Sequence, residues 1–281
     1  MPAKTNLMTM TQADKASRFQ SLHTRAGAFL IPNPWDPGSA RILTGLGFEA
    51  LATSSAASAA VLGKRDHRLS REEALTQARA IVSATILPVS ADLENGFGHT
   101  SEAVSRTVLL AAETGLVGCS IEDSTGDKDK PLYDLQLASE RIAAAAEAAR
   151  SLPFRFTLTA RAETFVYSRP DLDETIQRLA AYDQAGADVL FAPALPDLGA
   201  VRAVCSAVSK PVNFMVGIPG KSFSVAELVD AGVKRISFAA SLYRAATTAL
   251  INAAREVKEK GTFSYLNTTN PSAETNRFFS D

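Results

Sequence analysis

One phrase that occurs three times limits the fold of this chain more than any other feature. It reads "ETGLVGCSIED" at residues 113–123, "DQAGADVLFAP" at 183–193 and "VDAGVKRISFA" at 229–239. In each copy a glycine follows a helical segment, where it can supply a left-handed cap, and an apolar run begins at once. Such a run is typical of a parallel strand that is buried on both faces. The phrase therefore predicts repeated passages from a helix into a buried strand.

Eight β-rich runs alternate with segments of helical period. The predicted strands cover residues 28–32, 50–53, 88–93, 118–122, 156–160, 188–192, 211–216 and 235–239. The predicted helices include residues 71–83 (after a cap-like Ser70), 101–114, 135–149, 172–185, 200–208 and 225–231. Strands that alternate with helices predict parallel βαβ units. Eight units over about 250 residues match a (β/α)8 TIM-type barrel. A doubly wound open sheet is the alternative, although no G-x-G-x-x-G opens the first unit.

The chain divides into a barrel and a short tail. No shift of composition marks a linker before residue 260, so we expect a single-domain barrel over residues 1–263. Residues 264–281 are polar and contain the break "NTTNPS". We expect this tail to pack on a neighbouring subunit or to stay loose.

Charge and composition favour a small-molecule ligand. The formal net charge is -1, with 29 Lys and Arg against 30 Asp and Glu, which predicts neither a nucleic-acid nor an anionic-membrane partner. Cys119 and Cys205 are too few for a disulfide framework. The three histidines, His23, His67 and His99, lack the spacing of a zinc site. Because the chain has neither a signal-like apolar stretch nor a run of about 18 apolar residues, we expect a cytoplasmic protein.

Acidic side chains gather where two neighbouring strands end. Asp92 and Glu94 lie in "SADLENGFG", and on an extended chain this spacing directs both to one face. Glu122 ends the next strand, so it can approach the same point. An all-oxygen cluster favours Mg²⁺, with Mn²⁺ as a second possibility. The competing hypothesis is that Asp92 or Glu94 caps the following helix while Glu122 pairs with a surface base.

Other polar groups fall at further strand ends. Arg161 stands two residues before Glu163 in "LTARAETF", where it can anchor a substrate carboxylate or pair with Glu163. Ser54 and Ser55 can offer hydroxyl and backbone N–H groups to an oxyanion. Trp35, in "NPWDPGS", is either a wall of the ligand pocket or a core residue.

Several of these motifs, in this order, resemble the isocitrate lyase / phosphoenolpyruvate mutase superfamily. They are "NPWDPGSARILTGLGFEALATSSAASA", "GKRDHRLSREE", "LPVSADLENGFG", "GCSIED" and "TARAETF", and the resemblance spans roughly residues 31–263. It implies a (β/α)8 barrel that is usually a tetramer, a dimer of dimers with an exchanged C-terminal helix. It also implies Mg²⁺, a bound 2-oxo acid, and C–C or C–P chemistry through an enolate of pyruvate type.

The resemblance implies roles for individual residues. Asp92 matches the direct magnesium ligand, whereas Glu94, Glu122 and Asp66, in "GKRD", match acids that bind the metal mostly through water. Ser54 with Ser55 matches a serine pair that holds the substrate carboxylate and oxo group. Arg161 matches a substrate-binding arginine, and Trp35 matches a pocket-wall position only loosely.

One loop departs from the family pattern. Isocitrate and methylisocitrate lyases carry a Lys-(Lys/Arg)-Cys-Gly-His loop whose thiol donates a proton, but this chain reads "STGDKDKPLYD" there. Cys119 lies within the preceding strand and cannot replace that thiol. The loop offers Lys128 and Lys130, each of which is a lid cation or a solvated charge; the C–P branch pairs such a lysine with an asparagine that is absent here.

These observations predict a Mg²⁺-dependent lyase or decarboxylase. Its substrate would be a small 2-oxo or 2-hydroxy dicarboxylic acid, with a reaction of oxaloacetate decarboxylase or methylisocitrate lyase type. C–P bond cleavage or phosphoryl migration is the enzymatic alternative. A protein that binds 2-oxo acids without turning them over is the alternative from a different class.

Overall fold

The computed structural model describes residues 10–167 and 170–279 of the chain. Eight parallel strands form one sheet in the order β1-β8-β7-β6-β5-β4-β3-β2. The strands are β1 (Phe29–Ile31), β2 (Leu51–Ala52), β3 (Val89–Asp92), β4 (Gly118–Glu122), β5 (Thr157–Arg161), β6 (Val189–Phe191), β7 (Val212–Met215) and β8 (Arg235–Ser237). All eight predicted strands are confirmed, with edges that shift by one or two residues.

Helices follow and surround the strands. They are α1 (Gln12–Thr24), α2 (Pro37–Gly45), α3 (Ser55–Val61), α4 (Arg71–Ser83), α5 (Ser101–Ala112), α6 (Leu135–Arg150), α7 (Thr164–Tyr167), α8 (Leu172–Gln184), α9 (Leu198–Ala207), α10 (Val225–Asp230), α11 (Ser241–Lys260) and α12 (Ser272–Asn276). A 3-10 helix at Ser264–Thr268 precedes α12. No helix in the described ranges combines the length and the apolar character that crossing a membrane requires.

The sheet closes on itself and confirms the barrel. β1, the first strand along the chain, pairs with β8, the last strand. The seam between β1 and β2 is joined by the Ala52 amide, which donates to the Pro32 carbonyl oxygen at 3.1 Å. The Asn33 side chain also donates to the Thr53 carbonyl oxygen at 2.8 Å. A (β/α)8 barrel places its ligand site at the C-terminal ends of these strands.

Helix α4 shows which sequence signals predict a helix and its bounds correctly. Its bounds equal the predicted ones. The Ser70 hydroxyl accepts from the Glu73 amide, and the Glu73 carboxylate accepts from the Ser70 amide, which is a capping box. Leu75, Ala78 and Ile81 recur at helical spacing and are buried. The cap and the apolar stripe together fix this helix.

Helix α1 was not predicted, and it closes the N-terminal end of the barrel. The Phe19 ring packs edge-on against Phe29, the first residue of β1, with 6.1 Å between the ring centroids. Phe19 also lies near Gly118 and Arg235, the first residues of β4 and β8. Because this end is plugged, the cavity opens at the opposite end.

Gly118 gives a test of the tight packing at that plug. A Cβ there would lie 2.6 Å from the Thr157 carbonyl oxygen and 3.2 Å from the Phe19 ring. We expect Gly118→Ala to lower the free energy of unfolding by about 1–3 kcal/mol, measured by urea denaturation. Gly38→Ala, where the nearest atom would be 3.5 Å away, is the matched control. Equal stability of the two variants would contradict this packing.

An aromatic ring of the C-terminal segment packs against the barrel. Phe278 lies against Gly45 of α2, so that a Cβ at Gly45 would collide with the Phe278 ring. Helix α11, by contrast, has no buried residue, and its Leu250 and Ile251 are 67% and 52% exposed. The predicted tail therefore touches the barrel within its own chain, while α11 carries an uncovered apolar surface.

Candidate active site

A cavity of about 380 Å³ opens at the C-terminal ends of the strands. Five of the residues proposed from the sequence line it: Ser54, Ser55, Asp66, Asp92 and Arg161. They come from loops or strand ends after β2, β3 and β5, as expected for a barrel enzyme. A cavity of this size suits a small organic acid.

Asp92 ends β3 and is held by donors from α3 and β4. Its Oδ2 accepts from the Ser55 amide at 3.3 Å, and its Oδ1 accepts from the Ser120 hydroxyl at 3.4 Å. Its own amide donates to the Thr53 hydroxyl at 3.1 Å. The carboxylate therefore has a fixed direction at the cavity wall. The Ser55 amide, proposed as an oxyanion donor, here serves Asp92.

Arg161 lies at the centre of three carboxylates. Its Nη1 is 3.7 Å from Asp92 Oδ2 and 3.5 Å from Glu122 Oε2, and its Nε donates to Glu163. The Glu163 side chain is 0% exposed, and its Oε2 has no hydrogen-bond partner among the described residues. Both roles considered for Arg161 fit this geometry, because it pairs with Glu163 and also lines the cavity.

Glu122 ends β4 inside the barrel. Its Oε1 accepts from the Ser124 hydroxyl at 2.5 Å, and the residue is only 3% exposed. Burial raises the pKa of Glu122 to about 8, although the Arg161 charge opposes this shift. A nearby positive charge stabilises the ionised form of a carboxyl group most strongly in such a buried place.

Glu94 points to a different group of side chains from Asp92 and Glu122. Glu94 has φ of 50°, so the chain is no longer extended there and the expected i, i+2 face does not form. Its Oε2 is 3.5 Å from His67 Nδ1, and that contact raises the pKa of His67 to about 9. Asp66, His67 and Glu94 bring three ligand atoms within 4.8 Å of one another. The acids thus form two groups, Asp92 with Glu122 beside Arg161 and Asp66 with Glu94 beside His67, and of the four only Asp66 and Asp92 line the cavity.

The helix-cap hypothesis for the acids is wrong. Helix α5 is capped by Thr100, whose hydroxyl accepts from the Ala103 amide. Glu122 faces the buried Arg161 and not a surface base. Neither local role accounts for these carboxylates.

Asp123, the neighbour of Glu122, supports the turn that carries Arg161. Its Oδ1 accepts from the Glu163 amide at 2.8 Å. Its Oδ2 accepts from the Tyr182 hydroxyl at 2.6 Å and from Arg178 Nη1 at 3.1 Å. Because Asp123 is buried, these bonds lock the segment after β5.

Trp35 and Lys128 do not line the cavity. The Trp35 ring packs edge-on against Tyr243, with ring centroids 5.6 Å apart. Lys128 is exposed in the loop between β4 and α6, and its neighbour Lys130 pairs with Asp134 at 3.0 Å. The lid role of Lys128 stays a prediction.

Sequence reasoning missed several polar residues that line the cavity, among them His67, Tyr167, Asn213 and Arg244. His67 was considered only for zinc, although it adjoins Asp66 in "RDH". Tyr167 stands two residues beyond the quoted "TARAETF". Arg244 follows β8 in "SLYRA" and bonds to the Gly217 carbonyl oxygen. His67, Tyr167 and Arg244 could have been found by extending the inspection past the strand ends, whereas Asn213 lies within β7.

Comparison with known proteins agrees with the fold and identifies the family. The sequence model of the phosphoenolpyruvate phosphomutase family matches residues 19–258. An oxaloacetate decarboxylase of Pseudomonas paraeruginosa is 31% identical, with 85% of this chain and 83% of the relative covered. A 2-methylisocitrate lyase of Escherichia coli is 28% identical, with 87% and 84% covered.

A solved structure shares the fold of this chain. The crystal structure of a Burkholderia cenocepacia protein assigned as a lyase/mutase superposes with a TM-score of 0.94 and 51% identity, covering 96% of this chain and 97% of that one. The motifs that suggested the superfamily from sequence lie at the strand ends around one cavity. The chain belongs to the phosphoenolpyruvate mutase family, whose wider superfamily includes carbon–carbon lyases and mutases.

Proposed function

We propose that the protein is a Mg²⁺-dependent lyase or decarboxylase. Its substrate would be a small 2-oxo or 2-hydroxy dicarboxylic acid, cleaved beside the oxo or hydroxy group, and decarboxylation of a 2-oxo acid such as oxaloacetate would pass through a pyruvate-type enolate. The observation that carries this proposal is one cavity that combines the carboxylates of Asp66 and Asp92 with guanidinium groups that include those of Arg161 and Arg244. The first set suits a hard cation, and the second suits the carboxylates of a dicarboxylic acid.

The residues present fit a hard divalent cation. Asp92 is the proposed direct ligand, because its carboxylate is fixed at the cavity wall. Glu94, Glu122 and Asp66 would act mostly through water, and this donor set of oxygens favours Mg²⁺, with Mn²⁺ as an alternative. When bound, the cation would supply charge that stabilises the oxyanion of the enolate.

The protein's own groups would orient the substrate. Arg161 would hold the α-oxo carboxylate while Glu163 keeps the guanidinium in place. Ser54 would donate its hydroxyl to a substrate oxygen at the N-terminus of α3, where backbone N–H groups favour negative charge, while the Ser55 amide holds Asp92. Arg244, across the cavity, would take the second carboxylate. Such preorganised donors are worth most where water is excluded.

The test is a substrate screen. Purified protein with Mg²⁺ is assayed for pyruvate release from oxaloacetate and methylisocitrate, and for phosphate or phosphoenolpyruvate from phosphonopyruvate. We expect pyruvate from one of the first two and none after EDTA treatment. Tight Mg²⁺-dependent oxalate binding without turnover of any 2-oxo acid would instead support a non-catalytic binding protein. If the protein neither binds oxalate nor turns over any of these acids, the proposal is contradicted.

The C–P reaction remains the second candidate. It is favoured by the matching family model, whose description is phosphoenolpyruvate phosphomutase. Phosphonopyruvate turnover in the same screen, without release of pyruvate from oxaloacetate or methylisocitrate, would establish it over the lyase.

We also propose a homo-oligomer, as the resemblance implies. Helix α11 is 20 residues long and leaves its apolar side chains exposed, which a second copy of the chain could cover. Light scattering on the purified protein should give a mass of two or four chains. Leu250→Glu with Ile251→Glu should lower that mass, and a monomeric wild type would contradict the proposal.

A further inference from the structure

Tyr167 places a phenol at the cavity, at the end of α7. Its side chain lines the same cavity as Asp92 and Arg161. Its hydroxyl is 2.7 Å from His67 Nε2, and the other ring nitrogen of His67 faces Glu94. Tyr167 is therefore held by a ring whose own orientation is fixed. It is 40% exposed, so water reaches it through the cavity mouth.

The proposed reaction needs a proton at carbon. An enolate of pyruvate type becomes a 2-oxo acid only when its terminal carbon gains a proton. The loop that carries a thiol in related lyases has none here. Among the cavity-lining residues that the structure describes, there is neither a cysteine nor a lysine, and Tyr167 is the one phenol. A tyrosine can serve as a general acid when it lies within reach of the reacting atom.

We propose that Tyr167 is the general acid that protonates the terminal carbon of the enolate, an inference that rests on the proposed lyase function. In this step the O–H bond of Tyr167 breaks and a C–H bond forms, while the enolate C–O⁻ becomes the carbonyl. The resulting tyrosinate takes a proton from water in the open cavity. No oxidant or further reactant is required.

The surroundings keep the phenol in the form that the step needs. Burial, followed by the negative charges of Glu122 and Glu163, raises the pKa of Tyr167, so the hydroxyl carries its proton at neutral pH. Val166 and Phe191 add apolar walls to the cavity. A neutral donor beside an apolar wall suits delivery of a proton to carbon.

The experiment is methyl exchange of pyruvate in D2O. Protein with Mg²⁺ and pyruvate is followed by proton NMR, because reversal of the step removes a methyl proton and returns a deuteron. We expect Tyr167→Phe to slow exchange by about 100-fold or more, the usual range for loss of a general acid. Its Mg²⁺-dependent affinity for oxalate, measured by calorimetry, should stay within about threefold.

Tyr133→Phe is the matched control. Tyr133 also bonds to a histidine, His99, at 2.7 Å, but neither residue lines the cavity. Exchange by Tyr133→Phe should equal that of the wild type. Unchanged exchange in Tyr167→Phe, or a wild type that turns over its substrate without methyl exchange, would overturn the role of Tyr167. A wild type that neither exchanges pyruvate nor turns over any 2-oxo acid would refute the lyase function itself.

Discussion

Asp92→Ala is expected to abolish the stabilisation of the protein by Mg²⁺ plus oxalate while leaving the barrel folded. The change removes the carboxylate proposed as the direct ligand, and the other acids act mostly through water. At a ligand concentration 100 times Kd, wild type should gain about 2.7 kcal/mol, which is on the order of 5 °C or more in melting temperature. The variant should gain nothing, and its activity should fall by more than about 100-fold.

Glu94→Gln is the control for this prediction. The amide oxygen can still accept from a metal-bound water, so metal affinity should fall by only about 10–100-fold. Thermal shift with and without Mg²⁺ and oxalate measures both variants. A full response of Asp92→Ala would refute its role as a ligand. Equal and complete loss in both variants would mean that the direct and water-mediated roles are wrongly assigned.

Arg161→Met should reduce the free energy of unfolding by about 3–5 kcal/mol, because it leaves the buried carboxylates of Glu163 and Glu122 without their counter-charge. The double variant Arg161→Met with Glu163→Gln removes both members of the closest pair and should recover much of this loss. Urea denaturation at neutral pH measures all three proteins. A loss below about 1 kcal/mol in the single variant would contradict the central position of Arg161.

The loss of stability in Arg161→Met relative to wild type should depend on pH in a defined direction. Burial raises the pKa values of Glu122 and Glu163 above their ordinary values, so the folded state holds these protons more tightly than the unfolded state. The stability that they contribute is present below the unfolded pKa and is lost as pH rises through the folded pKa. Without Arg161, the deficit relative to wild type should therefore shrink as pH is lowered from about 8 towards 5.

The barrel was predictable because its signals are local. Each Gly-to-strand phrase marks a helix end and a buried strand within about 11 residues, and Ser70 with Glu73 marks a helix start. Helix α1 carries similar local signals, since Thr11 and Asp14 form a capping box. It was missed because it precedes the first strand and lies outside the repeating βα unit.

The site was predictable in its members but not in its arrangement. Asp92, Glu122 and Arg161 follow from their places at strand ends. The separation of Glu94 from Asp92 depends on a left-handed backbone at Glu94, a conformation that this residue type does not signal. The roles of Asp123 and Glu163 depend on contacts with Arg178 and Arg161, which only the folded chain shows.

The loop between β4 and α6 is tied at its base. Ser124 and Leu132 form an antiparallel bridge, and the Thr125 amide donates to the Pro131 carbonyl oxygen at 2.8 Å. Beyond this tie, residues 126–130 are exposed. Because the anchor separates these residues from Glu122, insertions or exchanges at the tip need not disturb the barrel. Evolution, or a loop graft in the laboratory, can therefore exchange the tip of this loop while Asp92, Glu122 and Arg161 keep their positions at the strand ends.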